Sequence, residues 1–105
     1  MKVELFYLEG CPNVPPTMDR LRQVLQGCGL LLSIIEIHVD DEDTDKLHFL
    51  GSPSIRIDGV DIEPSARQRA DFGIICRTYQ GGGGVPSEDL IRSAIAEAEG
   101  NEFLR

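Results

Sequence analysis

Three cysteines, Cys11, Cys28 and Cys76, are the residues of this chain best suited to chemistry. They are too few and too unevenly spaced to form a secreted disulfide framework. With only His38 and His48 beside them and no paired Cys-x-x-Cys, a structural zinc site and its four ligands are not expected. Reactivity or packing must therefore account for the thiols.

Cys11 stands in Gly10-Cys11-Pro12-Asn13-Val14, where a strand pattern stops and a helix pattern is about to begin. A thiolate there is expected to meet unpaired backbone amides and the positive end of a helix dipole, which favour the ionised, nucleophilic form. The alternative is an inert small residue filling the turn. Glu9 and Asp19 are close in sequence and oppose ionisation if they face the sulfur.

Cys76 lies in Asp71 to Tyr79, inside a stretch of about 20 residues between the last strand pattern and the last helix pattern, and long insertions of this kind tend to be functional or disordered. Arg67, Arg69 and Arg77 flank it and favour a thiolate, whereas Phe72, Ile74 and Ile75 offer an apolar packing environment. The sequence supports both roles equally. Cys28 falls in helical register with Met18, Leu21 and Leu25, so it is expected in the core as a small hydrophobe. His38 and His48 are expected to be packing or surface residues, and the spacing of Cys11, Cys76 and a histidine does not demand an open soft-metal site.

The elements that must position these residues can be read from periodicity. Lys2 to Leu8 alternates Val3, Leu5 and Tyr7 against Lys2, Glu4 and Phe6, which predicts a first strand in the middle of a sheet. Pro15 and Pro16 suit a first helical turn, and Met18, Leu21, Leu25 and Cys28 carry a helix from about Pro15 to Cys28, closed by Gly29. Leu30 to Val39 reads as a covered strand parallel to the first. Asp40 to Leu50 opens with acid and offers Leu47, Phe49 and Leu50 to one short helix. Ser54 to Asp58 and Val60 to Glu63 form a hairpin around Asp58-Gly59. Ser65 to Gly84 is weakly periodic and ends in four glycines, after which Pro86, Ser87 and Glu88 start a last helix bearing Leu90, Ile91, Ala94, Ile95 and Ala98.

Gly51-Ser52-Pro53 precedes the third strand, where a proline belongs at the first residue and a cis bond after Ser52 is expected. Together with the order β-α-β-α-β-β-α, these motifs resemble the thioredoxin and glutaredoxin superfamily. Cys11-Pro12 is similar to the Cys-Pro of glutaredoxins and Ser52-Pro53 to their Val-Pro, while Gly83-Gly84 with Asp89-Leu90 loosely resembles their Gly-Gly and Asp-Leu. The resemblance covers roughly Lys2 to Pro64 and the last helix. It implies one thioredoxin-like α/β domain over residues 1–105. The sheet would be four-stranded and mixed, in the order two, one, three, four, with helices on both faces and an insertion before the last helix. It also implies that Pro12, Ser52 and Pro53 line the substrate-facing wall beside Cys11. Two departures matter: Val14 stands where the second active-site cysteine would be, and Leu8-Glu9-Gly10 lacks the lysine that glutathione-binding relatives carry.

Composition narrows the partners. The chain has 105 residues, 41% of them hydrophobic, and a net charge of −8, which disfavours nucleic acid and anionic membrane. No run approaches the roughly 20 apolar residues of a membrane span, and the amino terminus lacks the pattern of a signal peptide, so a cytoplasmic location is expected. No cofactor is expected. The leading expectation is thiol-disulfide exchange in which Cys11 is the nucleophile and Cys76 a candidate resolving thiol acting on a thiol or disulfide, a protein among the candidates. The alternatives are capture of a thiophilic metal or organometal ion by Cys11 and Cys76, and a redox-inactive adaptor that retains only the fold.

Overall fold

In the computed structural model, which describes residues 1–81 and 83–104 with side chains through residue 100, strand β1 (Val3–Tyr7) runs through the centre of the sheet. Gly82, one of the four consecutive glycines, and Arg105 lie outside the described residues. β1 pairs in parallel with β2 (Ile34–His38), Val3 beside Ile34 and Tyr7 beside His38, so the chain must cross over between them. The crossover is helix α1 (Val14–Gly27). On its other side β1 pairs antiparallel with β3 (Ser54–Ile57), which turns back into the two-residue β4 (Val60–Asp61). The order is β2-β1-β3-β4, the mixed sheet expected from the sequence. Asp58 and Gly59 both adopt positive φ, +53° and +81°, as a two-residue hairpin turn that follows the right-handed strand twist requires.

Alternation along the strands sorts the core. Val3, Leu5, Ile55 and Ile57 share one face and are buried with Met18, Leu21, Val24 and Leu25 of α1. The second long helix, α2 (Glu88–Leu104), buries Ile91, Ala94, Ile95 and Ala98 in that same cluster. Ser87 Oγ accepts the Leu90 amide and caps its first turn. Leu21 is wholly buried there, and its truncation to alanine is expected to cost about 2–5 kcal/mol.

Both α-helices therefore lie on one face, which corrects the expectation of helices on both. The opposite face is closed by Phe6, Val39 and Phe49 with Leu8, Ile37 and Leu47. Its cover between Asp40 and Leu50 is only a 3-10 turn (Asp41–Asp43) followed by further turns. Clustered acid repels itself within a helix, and His48 near the end of the segment takes φ +54°. Arg56 holds this end in place, stacking 4.2 Å over Phe6 while donating to the carbonyls of Leu47 and His48.

Cys28 is exposed rather than in the core. The helix stops at Gly27, and Cys28 is its cap, followed by Gly29 at φ +72°. The amides of Gly29 and Leu30 donate to the carbonyls of Gln26 and Leu25 and close the helix end, and Leu30, not Cys28, packs against the core. The strand expected over Leu30 to Val39 shortens accordingly, because β1 offers partners only from Val3 onward, and Leu31 is left 97% exposed. Beyond β4, Glu63 donates its amide to Asp61 Oδ1 and the chain enters a second 3-10 turn (Pro64–Ala66) instead of extending the strand. No helix among the described residues is long and apolar enough to cross a membrane.

Candidate thiol site at the carboxyl end of the central strand

Where β1 ends, three short hydrogen-bonded links bring together most of the residues singled out above. Gly10 takes φ +78°, which lets the chain turn so that the Cys11 amide donates to the Leu8 carbonyl at 3.2 Å. The Leu8 amide donates to Ser52 Oγ at 3.0 Å. Ser52 pairs with Cys76 in a parallel bridge, its amide donating to the Ile75 carbonyl at 2.9 Å and its carbonyl accepting the Arg77 amide at 3.0 Å. Cys11 and Cys76 are thus each tied, through Leu8 and Ser52, to the same end of the sheet. Both thiols are free, Cys11 partly buried and Cys76 exposed.

The Ser52–Pro53 peptide bond is cis, and Ser52 and Pro53 are both buried. The Tyr79 hydroxyl donates to the Pro53 carbonyl. Gly51 has φ +120°, and a Cβ there would lie 3.0 Å from Arg77 Cβ and 3.1 Å from the Ile75 carbonyl oxygen. Only glycine lets the two backbones approach this closely. Pro12 is exposed in the turn after Cys11. The glycine run also reaches this end. A Cβ on Gly84 would run into the side-chain amide of Asn13, and the Gly83 carbonyl accepts the Tyr79 amide.

The amides expected to support a Cys11 thiolate are mostly missing. The Val14 amide donates to the Cys11 carbonyl, Pro15 and Pro16 have no N–H, and the Thr17 amide is already bonded to Asn13. The prolines that make the turn a good helix start are the residues that remove its donors. Glu9 extends into solvent and approaches His38, with Oε2 at 3.9 Å from Nε2.

Cys76 departs from both of its expected environments. Ile74 and Ile75 are exposed with it, so it is not a packed bystander. The arginines flanking it in sequence serve carboxylates elsewhere: Arg67 makes a two-pronged pair with Glu97, and Arg69 makes one with Asp71. Hydrogen bonding to these partners raises both guanidinium pKa values and lowers those of Glu97 and Asp71.

Arg77 is buried, with its side chain 1% exposed. Its two terminal nitrogens donate to Asp61 at 2.7 and 2.8 Å, to Glu63 at 3.2 Å and to Ser54 Oγ at 3.0 Å, and the guanidinium stacks 4.5 Å over Tyr79. Burial works against the Arg77 charge, but the bonds to Asp61 and the other partners more than offset it and hold the pKa above the ordinary range. Burial raises that of Tyr79. Glu63 Oε2 accepts the Gln80 amide and completes the cluster.

The sequence carries only a faint sign of this ionic cluster. Its trace is the pair of alternations Asp61-x-Glu63 and Arg77-x-Tyr79, opposite charges at strand spacing in two segments whose adjacency only the fold reveals. Among the described residues no three or more His, Cys, Asp and Glu side chains are grouped to hold a metal ion. His48 stacks on Phe72, and His38 contacts Tyr7 and Asp40. Compared with known proteins, the chain matches no family model, and no curated protein or solved structure is significantly similar to it.

Proposed function

We propose that this protein is a thioredoxin-like thiol-disulfide exchange protein in which Cys11 is the nucleophile and Cys76 the resolving thiol. The observation that carries the reading is the backbone pairing of Cys76 with Ser52, whose hydroxyl bonds the Leu8 amide next to the Cys11 turn. The Cys11 thiolate attacks one sulfur of a disulfide R–S–S–R, forming Cys11–S–S–R and expelling a thiolate. The Cys76 thiolate then attacks the Cys11 sulfur, closing a Cys11–Cys76 bond and releasing the second thiolate. Two electrons pass from protein to substrate, and a thiol reductant is needed to reset it. Cys76 thereby takes the part that Val14 cannot.

Trapping tests this. A Cys76→Ser variant mixed with 2-hydroxyethyl disulfide is expected to accumulate the mixed disulfide on Cys11, while the unmodified protein passes it on to an internal disulfide. Mass spectrometry distinguishes the two products. No Cys11 adduct, with stoichiometric Cu(I) uptake that needs both cysteines, would replace exchange with metal capture.

A further inference from the structure

A cavity of about 280 Å³ opens beside the β3–β4 hairpin and the segment that leads to Cys76, and none of Cys11, Ser52, Pro53 or Cys76 is in its wall. The wall holds three guanidinium groups, Arg56, Arg67 and Arg69, and one carboxylate, Asp61, in a chain whose net charge is −8. Arg67 and Arg69 are tied to Glu97 and Asp71, which stand outside the wall, so both are held in place without adding a carboxylate to the lining.

Arg56 differs from these two. In the sheet it stands directly opposite Glu4 on β1 and Asp61 on β4, positions from which opposite charges ordinarily pair. Both carboxylates are committed elsewhere. Glu4 pairs with Lys2 at 3.7 Å, and the Asp61 oxygens accept from both terminal nitrogens of Arg77 and from the Glu63 amide. Arg56 Nη2 donates to the Leu47 and His48 carbonyls. Among the described residues, no carboxylate forms an ion pair with Arg56, and no group accepts from its Nε or Nη1. Burial lowers its pKa, but an arginine stays protonated. The cavity therefore has a half-buried cation in its wall with donors to spare.

Much of the remaining wall is apolar. Phe72 and His48 stack on each other with 4.9 Å between ring centroids and 4° between planes, and Leu50, Val60 and Ala66 join them. The volume is at the lower end of ligand sites, so the ligand is small. One cation without an acidic partner beside an apolar wall fits a singly charged acid with a ring-sized apolar body. A phosphate dianion fits less well, because Glu4 and Asp61 flank Arg56 and repel a second negative charge.

We propose that this cavity binds a small aromatic monocarboxylate, with the carboxylate on Arg56 and the ring against Phe72, Leu50 and Val60. The site is separate from the cysteines, and it stands whether or not they exchange disulfides.

Titration of the folded protein with benzoate, followed by NMR of the backbone amides and the arginine Nε–H groups, tests the assignment. Benzoate is expected to shift Arg56 Nε–H and the Val60 amide saturably, with a dissociation constant of about 1 mM or below. Benzamide keeps the ring without the charge, and acetate the charge without the ring. Both, and inorganic phosphate, are expected to bind more weakly by about tenfold or more. Arg56→Met removes the cation, and Val60→Glu puts a carboxylate at a wall position that is 41% exposed. Each is expected to weaken benzoate by about tenfold or more. Arg56 also holds the Leu47 and His48 carbonyls, so if Arg56→Met fails to fold, Val60→Glu decides. Absence of a saturable shift overturns the proposal, as does benzamide, acetate or phosphate binding as tightly as benzoate. Unchanged benzoate binding in folded Val60→Glu overturns it too.

Discussion

The two cysteines at the end of the sheet are held in different ways. Cys11 sits in a turn fixed by backbone bonds of 3.2 and 3.3 Å and followed by prolines that cannot donate. Cys76 sits on a segment paired on both sides of Ser52 and anchored by a buried arginine with two carboxylate partners. Exposure runs against the usual link between order and burial, since the firmly anchored thiol is the exposed one. Rigidity at this end comes from the ionic cluster below the segment and not from apolar packing of the cysteine.

That contrast breaks most readily at Arg77. Replacement by methionine leaves Asp61 and Glu63 buried without their cation, and urea unfolding is expected to show a loss of about 3–5 kcal/mol. Gly51→Ala acts on the same contact from the other side, forcing a side chain into φ +120° against Arg77 and Ile75. Its expected cost is about 1–3 kcal/mol by the same measurement. An unchanged midpoint in either variant would mean that the segment is not locked as described.

Tyr79 sharpens the comparison through pH. Its pKa is raised in the folded state by burial, so above pH about 10, where the unfolded phenol ionises, the folded protein binds the extra proton and stability falls as pH rises. Tyr79→Phe removes the bond to the Pro53 carbonyl, costing about 1 kcal/mol near neutrality, and flattens that alkaline slope. Denaturation curves at pH 7 and pH 11 check both effects. The smallest change is expected at Cys28. Because it is an exposed helix cap, Cys28→Ser should shift stability by no more than about 0.5 kcal/mol, whereas a core position would lose far more.

Local patterns were legible where one segment sufficed. The alternation in Val3 to Tyr7, the Asp58-Gly59 turn and the proline start of α1 each predict their elements, and the crossover followed by a hairpin gives the strand order. Sequence pattern misleads where a turn or a distant segment decides the outcome. Cys28 keeps helical register on paper, but Gly29 ends the helix before it. Asp40 to Leu50 has enough apolar residues for a helix, yet its backbone follows Arg56 and the acidic run instead. Arg77 looks like a thiolate's neighbour in sequence because Asp61 and Glu63, its real partners, are 16 and 14 residues away.

The pairing of Cys11 with Cys76 is most directly tested by oxidising the folded protein with diamide, alkylating the remaining thiols and mapping linked peptides. The expected product joins Cys11 to Cys76 and leaves Cys28 alkylated. A disulfide requires Cα atoms within about 7 Å, so its formation in the native state reports that the two backbones come that close. If Cys11 never appears joined to Cys76, or Cys28 takes its place, the resolving role of Cys76 is contradicted.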